Sequence, residues 1–318
     1  MNEQGRIISI SGGLYTVKTE NDTVCCFAKG AFRKSGISPV AGDLVQISTE
    51  EGLGQKEKEQ GARGVITEIL PRKNVLIRPP LANMDTLFLV AAVKDPEPVL
   101  LSIDKLLSIT RHNDIETILV FTKKELDPKR AEELCALYRN AGFSAFAVSN
   151  LEEEETKKLL YPCIKGSICA LAGASGVGKS TLINTLFPHL ATQTGALSEK
   201  TLRGKHTTRQ STLYDISFLL EKEEPVYVAD TPGFSLLDFD RFFFMEKEDL
   251  AFTFPEFEML LGKCKYTKCT HQTEDGCKIL EAVQSGDIAE SRHQSYLTLF
   301  HELSKTKSWE LSKKKTKR

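Results

Sequence analysis

The chain has 318 residues, of which 41% are hydrophobic and 27% charged: enough apolar material for two or three packed units and too much for wholesale disorder. Lys and Arg total 42 against 43 Asp and Glu, a formal net charge of -1. That balance excludes attraction of the whole molecule to nucleic acid or an anionic membrane and leaves only local basic patches for such partners. The opening stretch MNEQGRIISI lacks the basic-then-apolar order of a secretory signal, and the longest strongly apolar run, Leu87 to Val93, is far too short to cross a bilayer. A cytoplasmic protein without a membrane partner is expected.

Between Gly5 and Leu70, five strand-like runs (RIISI, YTVKT, TVCCFA, DLVQIS, GVITEIL) are separated by turns without helices, which predicts a small β-barrel of the OB type. The polar loop Thr49 to Arg63 reads as a solvated segment or as a nucleic-acid contact, because its acidic and basic residues nearly cancel. After Pro71, runs rich in Leu, Val and Ile (TLFLVAAV, TILVF, FSAFAVS, SICALAG) alternate with helical segments near Leu100 to Thr110, from Pro128, and in a Glu-rich stretch. This grammar predicts a parallel sheet with crossover helices on both faces. From about Phe239 onward helix-like segments surround a Cys/His cluster, and the basic tail Lys313 to Arg318 is expected to be disordered or, alternatively, to touch RNA. The fold class is therefore multidomain α/β, with units at 1–70, 71–238 and 239–318 and no internal repeat.

Chemistry enters at Gly173-Ala174-Ser175-Gly176-Val177-Gly178-Lys179-Ser180, which fits G-x-x-x-x-G-K-[ST] between a strand and the helix STLINTLF. Glycines let backbone N–H groups wrap a phosphate, and the helix N-terminus adds favourable partial charge. Lys179 would neutralise the β- and γ-phosphates, Ser180 would ligate Mg²⁺, and Thr181 shares the same first turn. The plain alternative is a glycine-rich strand-to-helix turn. Downstream, the strand Val226 to Ala229 ends in Asp230-Thr231-Pro232-Gly233; Asp230 suits the Mg²⁺ shell and the Gly233 N–H suits the γ-phosphate. Between them, Arg203-Gly204-Lys205-His206-Thr207-Thr208-Arg209 offers a threonine to close over Mg²⁺; Thr208 is preferred to Thr207. No glutamine follows DTPG, since Phe234 stands there, so slow intrinsic hydrolysis is expected, with His206 as the available polar group.

Upstream, TILVF runs into Thr122-Lys123-Lys124-Glu125, where a guanine-reading loop would spell Asn-Lys-x-Asp. Thr122 keeps a hydroxyl that can tie the loop, Lys123 an aliphatic stem to cover a base, and Glu125 a bidentate acceptor one methylene longer than Asp. The same residues also read as a helix entry, with Asp127 as N-cap and Pro128 at the first helical position. Ser149, after FSAFAVS, is a candidate for a second base-contacting loop. Eight cysteines divide into two groups. Cys25, Cys26, Cys135, Cys163 and Cys169 read as buried thiols, and Cys264-x₄-Cys269-x-His271-x₅-Cys277 reads as a closed, structural tetrahedral Zn²⁺ site or, alternatively, as a chance cluster of buried cysteines.

The motif order is a circular permutation, and with DTPG and the trailing Cys/His cluster it resembles the small-ribosomal-subunit-dependent GTPase A family, also called RsgA or YjeQ. The resemblance spans nearly the whole chain and implies GTP and GDP as ligands, Mg²⁺ with GTP, one structural Zn²⁺ at the spacing above, a catalytic role for His206, and binding to the small (30S) ribosomal subunit and its 16S rRNA during late maturation. Glu125 departs from the family's usual Asp. A monomer is expected. An ATPase or relaxed nucleotidase, and a nucleotide-gated RNA-binding module without turnover, are the alternatives. The run Phe239-Asp240-Arg241-Phe242-Phe243-Phe244 reads as interdomain packing, with transmission from the switch to the metal unit as a hypothesis.

Overall fold

The computed structural model describes residues 2–30, 32, 37–49, 61–77, 80–188, 190, 211–230 and 245–305. The loop core at 50–60, the segment with His206, Thr207 and Thr208, the run from Thr231 through Phe244 with Gly233, and the basic tail lie outside the described residues.

Alternating polar and apolar residues drive the first unit. Strands β1 (Asn2–Ser11), β2 (Leu14–Thr19), β3 (Thr23–Ala28), β4 (Leu44–Ser48) and β5 (Gly64–Ile69) close into a barrel in the order β1-β2-β3-β5-β4, with β3 and β5 parallel. Every second side chain points inward, so Ile7, Val17, Val24, Cys26, Val45, Ile47 and Ile66 form one core. All five expected strands are present. The barrel is fixed to the neighbouring unit by a bidentate Arg72–Asp43 pair (2.7 and 2.8 Å) on a fully buried carboxylate, and by Asn83 Nδ2 donating to the Gly42 carbonyl at 3.0 Å. A short hairpin, β6 (Val75–Ile77) and β7 (Pro80–Ala82), forms this junction; its three-residue strands are too brief to show periodicity in the sequence.

The central sheet has the order β10-β9-β8-β11-β13-β12. Strands β8 (Thr86–Ala92), β9 (Glu116–Thr122), β10 (Ser144–Ala147), β11 (Ile168–Gly173) and β13 (Tyr227–Asp230) are parallel. The expected parallel sheet is present, and it carries one antiparallel edge strand, β12 (Thr212–Asp215), that residue patterning did not anticipate. Its link to β13 contains only a 3-10 turn (Ser217–Leu219) and lacks the crossover helix that a parallel pairing requires. Helices α1 (Leu100–His112) and α2 (Pro128–Asn140) cover one face, packing on Leu87, Leu89, Leu119 and Phe121. Helices α3 (Glu153–Leu160) and α4 (Lys179–Leu186) cover the other, on Phe88, Val90, Ile118 and Val120. Because both faces are buried, β8 is apolar at every position after its first rather than alternating. Of the scattered thiols, Cys26, Cys135 and Cys169 are buried whereas Cys25 and Cys163 are half-buried; burial pushes the Cys26 and Cys169 thiols up to about 12.

Beyond the sheet lie two 3-10 turns (Leu250–Thr253 and Pro255–Phe257), a cysteine-rich loop, and helices α5 (Lys278–Ser285) and α6 (Glu290–Lys305). Their core is aromatic: the Phe254 and Phe257 rings stack at 5.1 Å, and Tyr296 meets Phe254 edge-on at 5.5 Å. This lobe is bolted to the sheet domain by Arg292 of α6, which donates to Asp104 of α1 at 2.6 Å and to Glu256 at 2.7 and 3.2 Å. Tyr138 of α2 donates to the same Asp104 oxygen at 3.0 Å, and the guanidinium lies 4.5 Å from the centre of the Phe254 ring. Among the described residues, no helix is long and apolar enough to cross a membrane.

Candidate functional site

Parallel strands deliver their C-terminal ends to one edge of the sheet, and there the connecting loops collect the candidate residues. The register pairs Gly173 at the end of β11 with Val90 of β8. A Cβ on Gly173 would lie 2.2 Å from the Val90 carbonyl oxygen, so the strand can come this close only with glycine. Gly176 and Gly178 then take φ of 79° and 89°, turning the chain through the left-handed region into α4. Lys179 opens α4 and is partly buried, and burial lowers the pKa of its ammonium. Its Nζ donates to the carbonyls of Gly173 (2.9 Å) and Ala174 (2.5 Å), both neutral acceptors. Val177 is buried under the loop, whereas Ser175, Ser180 and Thr181 are exposed. The arrangement is a cationic, N–H-rich cradle at a helix N-terminus, suited to a polyphosphate.

The upstream loop sits beside this cradle. Thr122, fully buried at the end of β9, donates from its hydroxyl to the Val177 carbonyl at 2.5 Å, tying the two loops together. Lys123 has φ 59°, and its ammonium donates to the Asp95 carbonyl in the β8–α1 loop. Glu125 is exposed in a 3-10 turn (Lys124–Leu126). Asp127 caps α2 by accepting from the Arg130 N–H at 2.9 Å, with Pro128 at the first position, so the helix-entry reading also holds. Ser149 is buried after β10; its Oγ accepts from the Leu151 N–H at 3.2 Å and its carbonyl from the Glu152 N–H at 3.1 Å, which organises the start of α3. Asp230 closes β13, next to β11, through its backbone.

Two contacts escape motif reading. Asp95 and Pro96 of the β8–α1 loop touch both loops: Asp95 holds Lys123, and Pro96 Cδ lies 3.8 Å from where a Gly176 Cβ would stand. An X-Pro step directly after an apolar strand was the available signal. Lys124 pairs with Glu152 and, at 3.9 Å, with Glu155, which no motif encodes.

The metal candidates come together in the C-terminal lobe. Ligand atoms of Cys264, Cys269, His271 and Cys277 all lie within 4.8 Å of one another. His271 Nδ1 is 3.6 Å from Cys264 Sγ and 3.4 Å from Cys277 Sγ, and the two sulfurs are 3.9 Å apart. Tetrahedral bonds of ~2.3 Å to sulfur and ~2.0 Å to nitrogen require separations of roughly 3.5 to 3.8 Å, so the set fits an enclosed metal ion. His271 itself takes φ 59°, and its carbonyl accepts from His293 Nε2 at 2.8 Å. Gly276, φ 67°, turns the chain into Cys277, and a Cβ there would meet the Lys265 side chain at 2.9 Å. Glu274 braces the loop by accepting from the Thr270 N–H (2.6 Å) and hydroxyl (2.5 Å) and the Gln272 N–H (2.8 Å). Burial lowers the His271 pKa, which favours the neutral imidazole that a metal binds, but it also pushes the Cys269 thiol up to about 12, so metal binding there must displace that proton.

Comparison with known proteins agrees with this geometry. Residues 69–240 match the family described as RsgA GTPase, and residues 4–54 match the RsgA N-terminal domain. The chain is 38% identical to the small ribosomal subunit biogenesis GTPase RsgA of Caldanaerobacter subterraneus subsp. tengcongensis, covering 94% of this chain and 95% of that protein. It is 34% identical to the protein of the same name from Alkaliphilus metalliredigens, covering 96% and 99%. The crystal structure of YjeQ from Thermotoga maritima superposes with a TM-score of 0.76 at 32% identity, covering 96% of this chain and all of that one. YloQ, described as a circularly permuted GTPase, superposes with a TM-score of 0.74 at 29% identity. A phosphate cradle in the middle of the sheet, its partner loop arriving earlier in the chain, and full-length similarity lead to one conclusion: the chain belongs to the RsgA GTPase family.

Proposed function

We propose that this GTPase acts in the maturation of the small (30S) ribosomal subunit, binding its 16S rRNA and hydrolysing GTP faster there, as a cytoplasmic monomer built from units at 1–70, 71–238 and 239–318. The observation that carries the nucleotide part is the Thr122 hydroxyl bonded to the Val177 carbonyl, which couples the loop assigned to the base with the loop assigned to the phosphates. The ribosomal part is supported by the names of the relatives, which leave the ATPase and non-hydrolysing alternatives without support.

In this reading the Gly173–Gly178 loop wraps the phosphates, Lys179 offsets their charge, and Thr181 adds a first-turn contact. Thr122, Lys123, Glu125 and Ser149 surround guanine. Ser180, Thr208 and Asp230 would hold Mg²⁺, which supplies charge neutralisation at the phosphates. His206 assists the attack of water, with the Gly233 N–H toward the γ-phosphate; these roles extend to segments outside the described residues. Cys264, Cys269, His271 and Cys277 would hold Zn²⁺ in a structural role, since no coordination position is left open.

The test is GTP turnover with and without purified small subunits, beside competition of fluorescent GDP by GTP, ATP and XTP. Subunit-stimulated hydrolysis, guanine preference, and loss of stimulated turnover in His206→Ala are expected. Displacement by ATP as effective as by GTP, or no stimulation by the subunit, would overturn the reading.

A further inference from the structure

The adjacent lysines of the upstream loop are held from opposite sides. Lys123, in the left-handed region at φ 59°, gives its ammonium to the Asp95 carbonyl of the β8–α1 loop. The next residue turns the other way: the Lys124 ammonium pairs with Glu152 and lies 3.9 Å from Glu155, both at the start of α3, and the Lys124 N–H donates to the Val148 carbonyl at 3.2 Å. Glu152 comes directly after Ser149-Asn150-Leu151, and its N–H is bonded to the Ser149 carbonyl at 3.1 Å. The loop that carries Glu125 and the loop that carries Ser149 are thus clasped by the Lys124 ion pairs and one backbone hydrogen bond.

Glu125 is where depth matters. Its carboxylate extends one methylene further than the Asp that a guanine-reading loop ordinarily uses, so the backbone beneath it must be set back and kept there if the same base edge is to be met. Lys124 is the residue immediately before it, and the clasp acts on that backbone. We propose that the Lys124–Glu152 pair is a positioning device for base recognition: it holds the Glu125 backbone at the depth a guanine requires and keeps the Ser149 loop in register with it. The inference rests on the assignment of Glu125 to the base.

The experiment uses the full chain and fluorescent GDP, competed by GTP and by ATP, for wild type, Lys124→Met, Glu152→Gln, and the exchanged pair Lys124→Glu with Glu152→Lys. An ion pair this exposed has a modest effect, so each single variant is expected to weaken GDP and GTP binding about two- to fivefold. Displacement by ATP should stay as in wild type, melting should be unchanged, and the exchanged pair should regain part of the guanine preference. Equal loss for GTP and ATP would mean that the pair supports the phosphate loop instead, and would overturn the proposal. Glu125→Ala separates the two layers. Guanine preference lost in Glu125→Ala but intact in Lys124→Met overturns the clasp alone. Preference intact in both overturns the base assignment and the clasp with it.

Discussion

Replacing Arg292 with methionine removes the only cation among three buried partners. Arg292 and Asp104 are each 1% exposed and Glu256 is 5% exposed, and the guanidinium donates to them at 2.6, 2.7 and 3.2 Å. Burial alone lowers the pKa of Arg292, but the carboxylates of Asp104 and Glu256 outweigh it and keep the guanidinium charged. Methionine fills much of the space beside Phe254, so the loss is chiefly electrostatic: two carboxylates stay buried with no counter-charge, and among the described residues Asp104 Oδ2 already lacks a hydrogen-bond partner. Removing one partner of such a group costs about 3–5 kcal/mol, which lowers the melting temperature of a chain this size by on the order of 10 °C. Urea and thermal unfolding followed by circular dichroism would measure it. Adding Asp104→Asn and Glu256→Gln to Arg292→Met should recover most of the loss, because the stranded charges are then gone. If Arg292→Met cost less than about 1 kcal/mol, or the neutralised triple variant were no more stable than the single one, the bolt between lobe and sheet would not be electrostatic.

Three further outcomes are expected. Lys179→Ala should lower single-turnover GTP hydrolysis by about 10²-fold, the usual cost of losing one preorganised charge donor; near wild-type turnover would remove Lys179 from the phosphate site. Cys277→Ser should leave the purified protein with less than one bound metal per chain by inductively coupled plasma mass spectrometry, and the C-terminal lobe should unfold separately from the sheet; full metal content would show that the cluster is not the binding site. Glu274 is subject to a burial effect that raises its pKa, but the hydrogen bonds from Thr270 and neighbouring N–H groups prevail and bring it down to about 2, below the ordinary 4.5. Its contribution to stability is therefore present above about pH 4.5 and fades as pH falls toward 2. The stability gap between wild type and Glu274→Gln should shrink over that window, and a constant gap would contradict the shift.

Much of the site could be read from residue order because its chemistry is local. The loop from Gly173 to Ser180 needs only backbone freedom at fixed spacing before a helix, and positive φ at Gly176 and Gly178 is the conformation that spacing anticipates. The barrel strands were visible because one face of each is buried, which imposes a period of two. The antiparallel β12 and the β6–β7 hairpin were not, since strands of three or four residues carry too few side chains for a period to register. Arg292 reads as an ordinary polar position on a helix; only the packing of α6 against α1 and α2 surrounds it with Asp104, Glu256 and three aromatic rings. In the same way, the pull of Lys123 toward Asp95 and of Lys124 toward Glu152 depends on loops about 28 residues apart in the chain meeting at one sheet edge. Residue order was thus enough for the glycine loop before α4, the Cys/His cluster, the barrel and the permuted motif order, since each depends on short-range spacing or strand periodicity. How the loops clasp one another and what bolts the last lobe to the sheet followed instead from tertiary packing, because those contacts join residues whose separation in the chain bears no relation to their distance in space.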